Sequence, residues 1–281
     1  MAPALLLFGA FVLWPIARTG WLSLHDWNLV SPDREFVGLD NYSELLGDPD
    51  FHRLLGRTLM YVAIGLVGGF LLPVGLAMLT LRHAGRATGV YQTLLFVPTV
   101  ITTAVGALVW QFMYLPSGGP VNELLDTVGI SPVNWLKDPS TALPAVGVVG
   151  AWQNLGFSYM IALAGLSAVS PTLLEAAELD GASGWQLLRH VVLPLLMPTL
   201  LFLATTAVLH ALPNVFVAIE ILTSGGPAGS SSNLLYDVYS NGLRFFRVGE
   251  ASAEAVVLMA LIGGAAVWQM RLIERGVTYE R

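Results

Sequence analysis

Three stretches of this chain, 58–81, 89–115 and 142–169, each run for more than twenty residues without an Asp, Glu, Lys or Arg. Few environments accept such segments. A helix needs about 20 apolar residues to cross the roughly 30 Å hydrocarbon core of a bilayer, and each of the three is long enough. Three more stretches approach the same pattern with one ionisable group apiece: 2–24 with Arg18, 191–219 with His210, and 251–270 with Glu254 near its start. Only 11% of all residues are charged and 55% are hydrophobic, where a soluble domain would carry about 25% charged residues. The expectation is an all-α, polytopic membrane protein: six transmembrane helices in a single domain over 1–281. Pro73, Pro98 and Pro213 fall inside the second, third and fifth spans, and spans tolerate proline where neighbouring helices cover the freed backbone groups.

Charge then excludes several functions. The formal net charge is −6, with no basic patch to neutralise a run of phosphates, so nucleic acid is not a partner. Cysteine is absent, which excludes disulfides and thiolate chemistry. A phosphate-cradling loop needs lysine followed by Ser or Thr; the single lysine, Lys137, precedes Asp138. His25, His52, His83, His190 and His210 show no metal-binding or Ser–His spacing, so the chain does not read as an enzyme.

Alternation of spans puts 82–88, 170–190 and the tail from Arg271 on one side, and 25–57, 116–141 and 220–250 on the other. Each side holds six Lys plus Arg, packed into about half the length on the first. Basic density in short loops marks the cytoplasmic side, so both termini are expected inside. The missing basic N-terminal tail argues against a cleaved signal peptide. Arg18 is expected to snorkel at the outer end of the first span. The outer connection 25–57 is long and acidic, and 228–233 reads as a flexible loop. These loops suit a docking surface, or a solvated cap with no partner.

The segment "EAAELDGASGWQLLRHVVLP", Glu175–Pro194, breaks the apolar pattern. Ser170–Pro171 is a helix start, with serine at the N-cap and proline at the first helical position. A helix to Asp180 would stop at Gly181, where a left-handed residue is needed. A second short helix through His190 follows, and Pro194 opens the fifth span. The segment is then a helix–turn–helix knob under the membrane. Its alanines permit close approach by another surface, and its carboxylates await partners. On pattern alone an unpartnered interfacial loop fits as well.

The spacing adds more. Glu-Ala-Ala, three residues, Gly181, nine residues, Val191, one residue and Leu193–Pro194 resemble the signature loop of binding-protein-dependent ABC importer permeases. In that family the loop is a coupling helix that seats in a groove of a cytoplasmic ATPase. The resemblance implies that Glu175 pairs with an ATPase cation, that Ala176 and Ala177 allow close contact and Gly181 the turn, with Asp180 and Pro194 in the same coupling segment. "NWLKDPSTALPAVGVV" and "AGLSAVSPTLLEAAELDGAS" look like the maltose-type branch of sugar and polyol permeases; "TSGGP…LLYDVY" and "ASAEAVVLM" look like its glycerol-3-phosphate members. In this chain Ser170 occupies the family's usual proline position, and Pro171 follows it.

The same resemblance implies the partners. These are a second homologous permease in a heterodimer, two cytoplasmic ATPase subunits that bind the ATP, an extracytoplasmic substrate-binding protein, and the lipid of a bacterial inner membrane. No cofactor is implied for this chain. In the maltose branch, sugar contacts come from the helix before the coupling loop and from the fifth span. The matching places here hold Trp152, Asn154, Phe157 and His210, and the branch's asparagines are replaced by Leu212 and Val215, with Asn214 and Glu220 nearby. Glycerol-3-phosphate or a glycerophosphodiester is the expected substrate, with a disaccharide as the alternative. An ion-coupled secondary carrier is the more distant reading; it would require intramembrane carboxylates, and spans two to four have none.

Overall fold

The computed structural model describes residues 2–82 and 88–276. The 82–88 connection therefore lies largely outside the described residues, as does the end of the C-terminal tail. Helix α1 (Ala2–Leu22) leads to a short antiparallel ribbon, β1 (His25–Asp26) with β2 (Glu35–Phe36), paired His25 to Phe36. Then come α2 (Asp40–Gly47) and the long α3 (Pro49–Thr80), followed by α4 (Thr88–Val100) and α5 (Thr103–Met113). Helices α6 (Pro120–Thr127) and α7 (Ala142–Ser167) follow, and α8 (Pro171–Leu179) after them. The chain continues through α9 (Trp185–Leu222), α10 (Leu234–Tyr239) and α11 (Val248–Gly276). Apart from the ribbon, the described elements are helices, as the sequence requires.

Five helices are long and apolar enough to cross a bilayer, and α4 with α5 makes a sixth span if counted together. Pro98 was the expected interruption of the third span. The span is instead broken by 108° at Ile101–Thr102, three residues beyond the proline. Pro98 stays inside α4, and the break falls where Thr102 takes extended backbone, φ −61° and ψ 146°, as the N-cap of α5.

The second span begins earlier than expected. Asp48 takes the N-cap position, its carboxylate accepting the Asp50 N–H at 2.8 Å, and Pro49 sits at the first helical position. The helix thus starts at a polar cap well outside the apolar run. Pro194 was expected to open the fifth span, yet α9 runs through it from Trp185. A π-helical turn over Leu188–Val192 widens the helix just where proline would clash with the preceding turn.

The centre of the bundle is a crossing of α3, α7 and α9 built from small residues. A β-carbon at Gly65 would stand 2.9 Å from that of Ala211; one at Gly147 would meet Ile64 at 2.7 Å, and one at Gly150 would meet Val215 at 2.6 Å. Helices in lipid associate through such close backbone approach, because lipid tails offer no hydrophobic drive for association. Two polar groups of α3 beside the crossing are paired. Tyr61 Oη donates to the Ser231 carbonyl at 2.8 Å, and Thr58 Oγ1 accepts from the Leu234 N–H at 2.9 Å. On the other half of the bundle Tyr159 Oη lies 2.9 Å from Thr80 Oγ1 and 3.1 Å from Tyr91 Oη. Helix α1 has no buried residue and rests against α11.

Residues 228–233 were read as a flexible loop. The structure shows a packed one: Ser231 and Asn233 are fully buried, and Ser231 Oγ lies within hydrogen-bond distance of the Gly226 carbonyl at 2.6 Å and of Thr223 Oγ1 at 2.8 Å.

Candidate coupling surface and translocation path

Helix α8 carries the sequence's charged turn. Ser170 has the extended backbone of an N-cap, though its hydroxyl bonds Thr172 Oγ1 at 2.6 Å rather than a helix N–H. The exit is as expected. Gly181 has φ +88°, the Gly181 N–H donates to the Glu178 carbonyl at 3.0 Å, and the Ala182 N–H donates to Ala177 at 2.9 Å. These two bonds satisfy the last carbonyls of the helix in a Schellman arrangement.

Glu175, Ala176, Glu178, Asp180 and Gly181 are exposed and Ala177 is half-buried. Among the described residues, none of these carboxylates is in an ion pair. Around them stand apolar side chains with no cover: Leu179 at 89% exposure, Trp185 at 66% and Leu173 at 50%. Free carboxylates ringed by bare apolar side chains mark a surface built to be covered. Pro194, also exposed, lies within α9.

The six residues expected along the substrate path do not all meet. Asn154 of α7 and Asn214 of α9 do: both line a closed slit of about 10 Å³ at the small-residue crossing, beside Tyr61, Gly65 and Ala211. Trp152 faces elsewhere, edge-on to Trp110 with ring centroids 5.7 Å apart, on an apolar groove with Met60 and Val148. Phe157 and His210 are exposed on their helices.

Glu220 sits at the end of α9 and is structurally engaged. It accepts from Tyr236 Oη at 2.6 Å and pairs with Arg244, whose guanidinium also lies 5.4 Å from the Tyr239 ring. Burial, and then the Glu220 carboxylate, push the Tyr236 phenol up to about 12. It therefore stays protonated and remains a donor to Glu220. This is a clamp on the 223–239 segment.

Sequence reasoning passed over Gln153, between two residues it chose. Gln153 Nε2 donates to the Ile101 carbonyl at 3.3 Å, and its own carbonyl accepts from Thr99 Oγ1 at 3.1 Å. These bonds serve backbone freed by the break in the third span, and fix that break against α7. A pair of adjacent amides in a charge-free span was the available signal; the partner of Gln153, 52 residues away, was not visible. Also missed was a polar recess where Arg57, Asp237, Glu250 and Glu254 come together. Burial holds the Asp237 carboxyl above the usual carboxylate range, against the opposing pull of Arg57.

Apolar helices crossing at small residues, a slit lined by two amides, and an uncovered charged turn define a polytopic transport subunit. The chain belongs to the family of binding-protein-dependent transport system inner membrane components, whose profile matches residues 69–279. It is a permease subunit of an ABC importer in the inner membrane, a transport component and not an enzyme.

Among curated relatives, it is similar to the sn-glycerol-3-phosphate transport system permease protein UgpA of Pectobacterium atrosepticum. The two are 30% identical over 278 residues, which is 99% of this chain and 94% of the relative. The protein of the same name from Agrobacterium fabrum is 31% identical, with the same coverage. Among solved structures, a bacterial alginate ABC transporter in complex with alginate pentasaccharide-bound periplasmic protein contains a chain of the same fold. Its TM-score is 0.83 at 23% identity, covering 98% of this chain and 92% of that one.

Proposed function

We propose that this permease forms half of a translocation path for glycerol-3-phosphate or a glycerophosphodiester, and that it couples to its ATPase through Glu175 and the α8 turn. The observation that carries the substrate reading is near-full-length similarity, at 30–31% identity, to permeases named for sn-glycerol-3-phosphate. The slit at Asn154 and Asn214 is compatible with it, since two amides supply donors without a fixed charge. The uncovered carboxylates and leucines of α8 support the coupling reading.

In this reading the whole chain is one transmembrane domain with both termini cytoplasmic. It pairs with a second, homologous permease. Two cytoplasmic ATPases bind and hydrolyse the ATP, and an extracytoplasmic binding protein delivers substrate. Ala176 and Ala177 let the ATPase groove approach α8, and Gly181 sets the turn. Asn154 and Asn214 contact the solute when the slit opens. Trp152, Phe157 and His210 face neighbouring helices or lipid, and Glu220 holds the outer loop.

The test is ATPase stimulation of the reconstituted importer by its own binding protein, loaded with one solute at a time. Stimulation by glycerol-3-phosphate or a glycerophosphodiester is expected. Stimulation by a disaccharide alone would move the substrate to the sugar class.

A further inference from the structure

A feature that transport chemistry does not use lies among the connections 25–57 and 220–250 and the start of α11. Two recesses adjoin there, of about 510 and 600 Å³, sharing Leu45, Asp48 and Glu250 as a common wall. Eight carboxylates and three arginines line them, a formal −5 in a chain whose net charge is −6. Nearly all of the excess negative charge of the protein is gathered at this one place.

Two of the arginines are occupied: Arg53 pairs with Asp50, and Arg247 lies 3.5 Å from Glu250. The deepest carboxylate is Glu254, only 2% exposed. Its Oε1 accepts from Asn241 Nδ2 at 2.7 Å, while its Oε2, buried behind the wall that Glu254 gives the first recess, has no partner. Arg57 on the same wall does not reach it, and its Nε also lacks an acceptor. A buried carboxylate oxygen with no donor is costly, by several kcal/mol for a charged group. Such an oxygen at the wall of a recess lacks a donor that a second chain could bring. The recess has room for a long side chain, being many times the roughly 30 Å³ share of one water. Among the described residues no His, Cys, Asp and Glu grouping has the arrangement to hold a metal ion.

We propose that this acidic trough is a docking site for a basic patch on the extracytoplasmic binding protein, with one lysine or arginine side chain entering the first recess toward Glu254 and Asp237. The proposal rests on the importer reading above and on the outward orientation of these connections. Charge complementarity fixes the sign: the partner surface must be basic. It also predicts steering, because opposed patches accelerate encounter and lose that effect as salt rises. Glu254 and Asp237 would give the contact its register, and the rim carboxylates Asp26, Asp40 and Glu44 its salt dependence.

The test uses the assembled importer in nanodiscs and its purified binding protein. Glu44→Gln/Glu250→Gln, on the rim, and Glu254→Gln, isosteric and able to keep the Asn241 bond, are compared with wild type. The expected result is a dissociation constant for the binding protein raised at least tenfold by each variant. The rim variant should also lose most of the salt dependence. Size-exclusion chromatography checks that each complex remains assembled. A carbodiimide, which joins carboxylates to amines, should link the trough to a lysine of the binding protein. Unchanged affinity and salt dependence in both variants would overturn the proposal, as would crosslinks only to the second permease. If the wild-type complex neither binds the protein nor responds to it in ATPase rate, the importer reading fails as well.

Discussion

Gly68 is the position where the small-residue crossing is most demanding. A β-carbon there would fall inside contact distance of the Ala151 β-carbon and 2.9 Å from the Ala151 Cα. The second of these is backbone and cannot swing aside, so Gly68→Ala must push α3 away from α7. Overpacking of this kind costs about 1–3 kcal/mol, and alanine recovers about 1 kcal/mol of helix propensity over glycine. With backbone in the way the upper end applies, and the net is a loss of about 2 kcal/mol. That corresponds to a drop of roughly 4–8 °C in the unfolding midpoint for a chain of this size.

Two comparisons make the reasoning sharp. Gly75, on the same helix, has nothing within 4 Å of its would-be β-carbon, so Gly75→Ala should leave the midpoint equal or slightly higher. Gly65→Ala meets the Ala211 β-carbon at 2.9 Å and its Cα at 3.4 Å. Adding Ala211→Gly removes the close contact and leaves an ordinary one, so that pair should return to the wild-type midpoint. Gly68→Ala with Ala151→Gly should recover only part, because the Cα obstacle remains. The assay is tryptophan-fluorescence unfolding of the purified chain in detergent, which suits a protein with eight tryptophans and no cysteine. A Gly68→Ala midpoint no lower than that of Gly75→Ala would refute the crossing argument.

Glu175→Ala should leave the permease inserted and folded, since Glu175 is exposed and in no ion pair among the described residues. ATPase affinity should fall by the roughly 2–5 kcal/mol that truncating one partner of a desolvated charge pair costs; equal co-purification and uptake would count against the coupling role. In this cysteine-free chain, a cysteine replacing exposed Asp33 should react with an impermeant thiol reagent from outside. One replacing Leu179 should react only after the membrane is opened, and the reverse pattern would invert the proposed orientation. Ser232 is a poor reporter for either side, being 5% exposed.

The parts of the fold legible in sequence are those set by one helix at a time. A charge-free run has to be a span wherever its neighbours lie, and Gly181 after a helix has to be a left-handed stop. The parts that were not legible depend on a second segment. The break at Ile101–Thr102 is completed by Gln153 of α7, and no local rule moves it away from Pro98. The 228–233 loop has a flexible composition, but Ser231 is held by Thr223 and Tyr61, and the Leu234 N–H just beyond the loop is held by Thr58. Composition counts polar groups and says nothing of whether they are paired. Four of the six path residues lie away from the slit: alignment to a span gives depth along the helix but not the face, and the roughly 200° between positions two apart carries Trp152 away from the slit that Asn154 lines.

The chemistry of that slit bears on what the permease can carry. A phosphoester crossing between two permeases must be released on the far side in every cycle. A buried arginine pairing with it would hold on through charge-assisted, bidentate bonds, and an isolated buried cation would burden the empty state with its own desolvation. The crossing of α3, α7 and α9 avoids both: its polar groups are Asn154, Asn214 and the Tyr61 hydroxyl, all neutral, in a space that closes to about 10 Å³. Neutral donors can replace part of a solute's hydration without trapping it. They also discriminate poorly between a phosphate oxygen and a sugar hydroxyl, since each accepts the same bond. Selection among solutes then falls to the binding protein, and the permease's own contribution to specificity is its choice of that partner. On the docking proposed above, such a choice would be better served by the charged trough than by the slit, because a mismatched partner surface would be rejected there before any solute is released.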